Sequence, residues 1–447
     1  MTKIKVDHFI PLIGPFIIAT DQLNKKGLPI ETRNIYSHNG FEANEVHIKN
    51  NGYGEVEYLP EDVKYSVDKY RTWFKSKKIE AADMICCVPP CAGLSMLNSS
   101  VNKTNVSRGC NAVQNGWIYE GVYMYLGQGA QCCVIENAPG LVGGEGRKVL
   151  RKIKEILDQH GSYMIHVSKT NTICHGLPQS RSRAFCFIYK KDDFSEIRGF
   201  QTVSRPFVRL EKFLKRPEKI DLSEGSHDMP ITVISSKGTQ PWLDFTLKHD
   251  LHNKTRKQME DFTCSSVIDE FMREANEVGS VEKYVKDKER YKMLIHTFNH
   301  INAKAEDKLG FWDTSPIVSK GKVNAVISKN LSRMLHPIFD RFITFREAMD
   351  LMGLPDTFIV KDFQKNITWN HICQNIPINT ASDHLVLAAK CSGLIKSKKA
   401  GTVTLFSGFD IFNNLGDLGI IMQDNSSGDA IQNSYFLNKS NEWEKIS

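Results

Sequence analysis

Short apolar runs alternate with amphipathic stretches over the first 190 residues. Ala82 to Val88, Gln131 to Ile135, Tyr163 to Val167 and Ala184 to Tyr189 are runs of strand length. Gly146 to His160 repeats its apolar positions at helical spacing. Strands alternating with helices predict an α/β domain with a largely parallel sheet. From about residue 191 to 338 the pattern changes. Charge rises and the period becomes helical, as in Thr255 to Phe262 and Val281 to Tyr291, where both signs mix as on solvated helix faces. Further on, Asp383 to Lys390 has the pattern of a helix packed back on the sheet near the amino-terminal strand. After 396 come Gly, Asn and Ser clusters, such as Asn425-Ser426-Ser427-Gly428. Phe406, Phe409, Ile411 and Phe412 make this end too apolar to be wholly disordered. The expected organisation is one α/β domain in two segments, 1–190 and 339–396. A smaller domain at 191–338 interrupts it, and a tail or small β appendage at 397–447 follows.

The chemistry sits where the apolar runs end. Val88-Pro89-Pro90-Cys91-Ala92-Gly93-Leu94-Ser95 follows the run that begins at Ala82. Two prolines fix the backbone and remove donors, and the glycine lets the chain leave in an unusual conformation. A thiol is thereby offered on a stiff turn at a strand end, where open α/β sheets place their ligands. Val134-Ile135-Glu136-Asn137-Ala138-Pro139-Gly140 ends a second run in a carboxyl, an amide and a Pro-Gly turn. His175-Gly176-Leu177-Pro178-Gln179-Ser180-Arg181-Ser182-Arg183 feeds two arginines, two positions apart, into a third run. Side chains so spaced on a strand share one face. Each motif alone fits a structural role. Together they supply a nucleophile, an acid and a cationic fork, an inventory suited to covalent attack on a polar planar ring. Gly140 to Lys148 is glycine-rich, but its spacing fits neither phosphate-binding pattern, and it is expected to lead flexibly into a helix.

These three motifs resemble those of the DNA (cytosine-5) methyltransferases: PPCxxxS, ENxxG and a PQxRxR stretch. Arg341-Phe342-Ile343-Thr344-Phe345-Arg346-Glu347 is similar to the family's late RxLTxRE block, and Gln374-Asn375-Ile376-Pro377 to its closing GNxVP motif. The resemblance implies a Rossmann-like methyltransferase domain with a mixed, mostly parallel sheet, plus a smaller target-recognition domain in the 191–338 interval. It implies that the Cys91 thiolate attacks C6 of a flipped cytosine. Glu136 would hold the ring at N3, Arg183 would contact the base carbonyl, and Arg181 would brace the Cys91 loop. Pro89, Asn137, Pro139 and Gln179 would support the base pocket. Trp312, Lys320, Lys322, Lys329, Asn330 and Arg333 are candidate nucleic-acid contacts. The cofactor implied is S-adenosylmethionine, held through Phe9, Gly14, His38, Asp62, Pro90 and Asn375, and no metal is expected.

The amino terminus departs from that pattern. The family's turn F-x-G-x-G-G reads here Phe9-Ile10-Pro11-Leu12-Ile13-Gly14, so two of three glycines are replaced. Glycines there let the backbone approach the cofactor closely. The acid expected after the next strand, to bind the ribose hydroxyls, is His38 or Asn39. Three readings therefore stand open. The chain methylates cytosine with S-adenosylmethionine in a divergent pocket, or it modifies C5 with another donor, or it is a catalytically silent DNA-binding homologue.

Composition narrows the setting. The chain has 447 residues and a net charge of +7, which permits a phosphate-binding cleft without demanding one. Its eleven cysteines form no C-x-x-C pair, and apolar surroundings such as Cys86-Cys87 fit buried free thiols. A reducing compartment without a zinc site follows. No apolar segment is long enough to span a membrane. The expected setting is the cytoplasm of a bacterial or phage-infected cell, or a eukaryotic nucleus. The expected partner is double-stranded DNA, met by a monomer.

Overall fold

The computed structural model describes residues 2–95, 109–190, 205–214, 227–228, 321–326, 334, 336–339, 343–361, 371–395, 420–424, 426, 434–437, 440 and 442–445. The stretches 255–262 and 281–291, and Phe406, Phe409, Ile411 and Phe412, lie outside them. Contacts divide the chain into two units. One comprises Met1–Val208, Leu351–Lys361 and His371–Ser447, the other Arg209–Asp350 and Asp362–Asn370.

The first unit is built on a ten-stranded sheet. Its amino-terminal half alternates strand and helix. β1 (Ile4–Phe9), α1 (Pro15–Lys25), β2 (Ile30–Ser37), α2 (Glu42–Asn50), β3 (Glu57–Tyr58), α3 (Val67–Ser76) and β4 (Met84–Cys87) come first. Then follow α4 (Gly116–Gln128), β5 (Cys132–Asn137), α5 (Gly144–Asp158) and β6 (Tyr163–Asn171). The two-residue β7 (Gln179–Ser180) precedes β8 (Ser182–Lys190). The apolar runs bury their strands on both faces: every residue of β4 and of β5 is buried, as parallel strands covered by helices require. Helix α5 buries one stripe, Val149, Leu150, Ile153, Ile156 and Leu157, and leaves Lys148, Lys152 and Glu155 to solvent.

The strand order is β12-β11-β10-β6-β8-β5-β4-β1-β2-β3. Parallel ladders join β3, β2, β1, β4 and β5, and β8 runs antiparallel between β5 and β6. The sheet is therefore mixed and mostly parallel. Strands β10 (Ile420–Asp424), β11 (Ser434–Leu437) and β12 (Trp443–Lys445) form a three-strand extension of it, with β10 parallel to β6. The Trp443 indole N–H donates to Val142 O at 2.8 Å and ties this extension to the turn before α5. No helix among the described residues is long and apolar enough to cross a membrane.

The second unit includes α6 (Leu210–Phe213), β9 (Val323–Asn324) and most of α7 (Phe345–Leu351). The Thr-x-x-Glu spacing of the late block is a helix start. The amide of Thr344 donates to Glu347 Oε2 at 2.9 Å, and the amide of Glu347 donates to Thr344 Oγ1 at 3.1 Å. This reciprocal capping box satisfies donors that a helix end would otherwise orphan. In the first unit, α8 (Ile378–Cys391) packs against α1.

Several histidines are buried as neutral rings. Burial pushes His8 of β1 down to about 3 and His47 down to about 4, and holds His166 and His384 well below the usual imidazole value. A depressed imidazole is protonated in the unfolded chain before it is in the folded one. Its stabilisation is therefore present above about pH 6.5 and is lost as pH falls. His8 alone accounts for about 3 kcal/mol between pH 6.5 and 4. Glu45 and Glu136 oppose this, since burial raises both, Glu45 to about 7, and their contribution grows on acidification. The four histidines outnumber them. The thermal midpoint is expected to drop steadily between pH 6.5 and 4, and a flat midpoint over that window would show that these rings are not buried neutral.

Candidate active site

The strand register brings the three motifs to one place. Phe9 pairs with Cys87 and Cys87 pairs with Ile135, so β1 and β4 end level with one another and β5 runs two residues further, through Glu136 to Asn137. The chain leaves β1 toward Ile10 and β4 toward Val88 beside the level at which β5 presents Glu136. In the antiparallel ladder Glu136 faces Phe185 and Asn137 faces Ala184. Arg183, one residue earlier on β8, therefore lies just beyond the end of β5. Strand order reverses between β4 and β1, the point at which open sheets leave a crevice for a ligand.

At this edge Arg183 Nε lies 2.8 Å from Glu136 Oε1, with the carboxyl 3% exposed. Arg183 Nη1 also donates to Ser182 O at 3.0 Å. Arg181 is buried, and its Nη2 donates to Cys373 O at 2.5 Å. The Cys91 thiol is half-buried, and it feels Arg183, Glu136 and Arg181 electrostatically. Burial pushes the thiol above its ordinary value, with Arg183 pulling it back down. Burial likewise raises the Glu136 carboxyl against the pull of the two arginines. Burial, then Arg183, pushes Arg181 down to about 9, still a cation at neutral pH. A carboxyl raised by burial holds its proton more tightly than a free one. The cluster therefore holds a carboxyl, a fixed cation and a thiol at one strand edge.

The supporting residues lie around it. Pro89 is buried and Pro90 half-buried in the Cys91 loop, which closes with Leu94 N donating to Cys91 O at 3.1 Å. Asn137 is fully buried and accepts from Ala138 N at 2.9 Å. Pro139 opens the short turn Pro139–Val142. Gln179 is fully buried and its Nε2 donates to Leu351 O at 2.9 Å. Asn375 is buried and donates to His371 O. Gly140 abuts the Cys91 loop so closely that an added Cβ would stand 2.0 Å from Leu94 O. Backbone cannot yield as a flexible side chain can. Gly140→Ala is expected to push the Cys91 loop away from Glu136, at about 1–3 kcal/mol of stability. Differential scanning calorimetry reads that loss, and reaction with a small thiol reagent reads the altered exposure of Cys91. A variant matching wild type in both would dissociate this contact from the site.

One cluster was not singled out from the sequence. His175 Nδ1 lies 2.8 Å from Asp383 Oδ2, and His175 Nε2 lies 2.8 Å from Thr170 Oγ1. Arg205 pairs with the other oxygen of Asp383. His175 and Asp383 are almost wholly buried. This network joins α8 to the start of the segment that carries Arg181 and Arg183. His175 was visible only as the first residue of its motif, because its partners are remote in sequence.

The residues read as cofactor contacts are placed differently. Phe9 ends β1 and is fully buried. His38 follows β2, fully buried. Asp62 is exposed, while its neighbour Glu61 places Oε1 3.9 Å from His38 Nδ1. Gly14 has φ 88°, and a Cβ there would stand 3.2 Å from Ile48 Cγ1 and 3.4 Å from Ile17 Cδ1. Protein side chains thus fill the space beside this glycine. These residues do not fit S-adenosylmethionine in the family's manner, which needs open backbone at the turn and a free acid after β2. Among the described residues no three His, Cys, Asp or Glu side chains are grouped to hold a metal ion.

A family model for C-5 cytosine-specific DNA methylases matches residues 61–383. The match leaves β1, β2 and the turn between β1 and α1 outside. The type II methyltransferase M.Bpa9945I of Bacillus paralicheniformis is 25% identical over 312 residues, 62% of this chain and 64% of that protein. The chain thus spans under two thirds of that relative's length. The type II methyltransferase M.DdeI of Desulfomicrobium norvegicum is 23% identical over 330 residues, 70% of this chain and 72% of that protein. Among solved structures, the Entamoeba histolytica methyltransferase EhMeth aligns with a TM-score of 0.49 at 13% identity, covering 89% of this chain and all of that one.

Proposed function

The chain belongs to the C-5 cytosine-specific DNA methylase family, and from that premise we propose that it transfers a group to C5 of cytosine in double-stranded DNA through a covalent bond to Cys91. The observation that carries this reading is the buried Glu136–Arg183 pair beside the Cys91 thiol.

The ring chemistry follows from those groups. C5 of cytosine is a poor nucleophile. A thiolate adding at C6 forms the S–C6 bond and sends an electron pair toward C5. Charge developing at N3 is met by Glu136 as general acid, a role that burial favours by raising its carboxyl above the ordinary carboxylate value. Arg183, fixed against Glu136, is aimed to hold the base carbonyl oxygen, and Arg181 stiffens the segment behind it by its bond to Cys373 O. Activated C5 takes an electrophile. Loss of the C5 proton and expulsion of the thiolate then restore the aromatic ring and the enzyme. C6 is out of reach inside a stacked duplex, so the reading requires the base to be flipped out. We place target recognition in the interval 191–338. Lys322 is exposed there, while Trp312, Lys320, Lys329, Asn330 and Arg333 lie outside the described residues. We take the acting species to be a monomer.

The family normally uses S-adenosylmethionine as donor. The filled turn at Gly14 favours the second reading, the same attack at C6 serving a different electrophile. The silent DNA-binding reading leaves the buried acid and its arginine without a purpose. A direct test uses genomic-complexity DNA labelled with tritium at C5 of cytosine. Release of tritium that depends on Cys91 is the expected result. Retention of all label, with host-cell extract supplied as a source of donor, would remove the reading.

A further inference from the structure

The end of β2 carries a buried polar network, in which His38 Nδ1 alone of its ring nitrogens lacks a hydrogen-bond partner. His38 is wholly buried, with Nε2 3.0 Å from the Tyr70 hydroxyl and 3.5 Å from Glu120 Oε1. Tyr70 donates to that same oxygen at 2.5 Å, and the amide of Tyr65 donates to Glu120 Oε2 at 2.9 Å. Both oxygens of this buried carboxylate are therefore occupied by the protein. The imidazole is flanked by Phe9, edge-on at 5.7 Å, and by Trp117, also at 5.7 Å. Lys64 lies over the outer ring, 4.7 Å from the Trp117 centroid. A ribose diol needs an acceptor it can reach, and here the nearest acid, Glu120, is wholly buried with its two oxygens turned to a phenol and an amide.

The turn after β1 is closed as well. Ile10 and Leu12 adopt φ of 45° and 53°, in the left-handed region that side chains with a Cβ rarely enter. Both are buried, as are Phe9 and Ile13. Such a conformation is strained and persists where surrounding packing dictates it. Here the packing is internal: Gly14 rests against Ile48 and Ile17, which join Ile35 in an apolar cluster. The end of the turn at Gly14 is packed by side chains of α1 and α2.

We infer that the nucleoside grip at the ends of β1 and β2 is replaced by an internal plug of His38, Tyr70, Glu120 and the turn side chains, so that this chain does not hold an adenosyl donor. The inference rests on the family reading above and deepens it by removing one donor class from the same site. A donor used here reaches C5 without a diol-binding carboxylate at the end of β2.

The test uses the full chain in two arms. Calorimetric titration of S-adenosylmethionine, and of its demethylated product, is run with and without DNA. In parallel the protein is mixed with DNA containing 5-azacytosine. There the thiol forms a bond to C6 and ring nitrogen 5 takes a proton from water, so no donor enters the balance. Absence of saturable heat up to about 1 mM ligand, with the adduct formed, is the expected outcome. Saturable binding of either adenosyl compound below about 100 µM overturns the plug, whatever the adduct arm shows. Absence of both heat and adduct upholds the plug and removes the covalent reading instead.

Discussion

Cys91→Ser is expected to abolish adduct formation and group transfer, a loss on the order of 10⁴-fold or more, because a serine hydroxyl at this position has no base to activate it and ionises far less readily than a thiol. Affinity for DNA should change by no more than a few-fold. The substitution is nearly isosteric, and phosphate contacts, which dominate affinity, are made by other residues. Electrophoretic mobility shift at fixed salt measures the second quantity, and denaturing electrophoresis of the 5-azacytosine adduct the first. Cys86, Cys87, Cys132, Cys133 and Cys186 cannot substitute for Cys91. They are buried in the sheet, and burial raises the Cys132 and Cys186 thiols to about 12. Retained adduct in Cys91→Ser would move the nucleophile elsewhere.

Glu136→Gln is the second large effect, expected to slow adduct formation about 10²- to 10⁴-fold, the usual contribution of a placed general acid. Its pH dependence is more diagnostic than its size. Attack needs a thiolate together with a protonated carboxyl. Those two groups then share a single proton, and the fraction in that state is level between their two pKa values. Burial raises both, Glu136 above the carboxylate range and Cys91 above the thiol range. The wild-type rate therefore falls below the first value, where the thiolate is lost, and above the second, where the carboxyl proton is lost. Glutamine has no such proton. The rate of Glu136→Gln should climb with pH up to the thiol value and then stay level, without the alkaline decline. A bell-shaped profile in the variant would assign the proton to another group. Loss of Glu136 also leaves Arg183 without its buried partner, so a circular dichroism melt should accompany the kinetics.

The gathering of Cys91, Glu136 and Arg183 was legible because local sequence fixes it. Each stands at an end of an apolar run, and the parallel β4–β5 and antiparallel β5–β8 ladders bring those ends to one edge. The closing helix at Asp383 to Lys390 was legible for the same reason, since its period is local. The late block was read only as a motif, although the Thr344–Glu347 capping box explains its spacing. Contacts between remote residues were not legible. His38 reads as a missing acid until Tyr70 and Glu120 are seen beside it. His175 gains meaning only from Asp383 and Arg205. The sheet position of β10 to β12 was equally hidden. Those strands are short, sit among Asn and Ser clusters, and gain their place through pairing with β6.

The departures at Pro11, Ile13 and His38 are now joined by structure. The same turn that lost its glycines carries two strained residues and an isoleucine-filled flank, and the position that lost its acid carries a buried imidazole bonded through Nε2 to Tyr70. Changes in several elements that fit one another are what packing around a new interior demands, since interiors tolerate few voids.

The covalent claim is tested most directly by locating the bond. Wild-type protein is reacted with duplex DNA bearing 5-azacytosine, digested with protease and nuclease, and the cross-linked peptide is sequenced by mass spectrometry. A single modified residue, Cys91, is expected, with the base attached through C6. A bond at another cysteine, or DNA recovered wholly free, would contradict it.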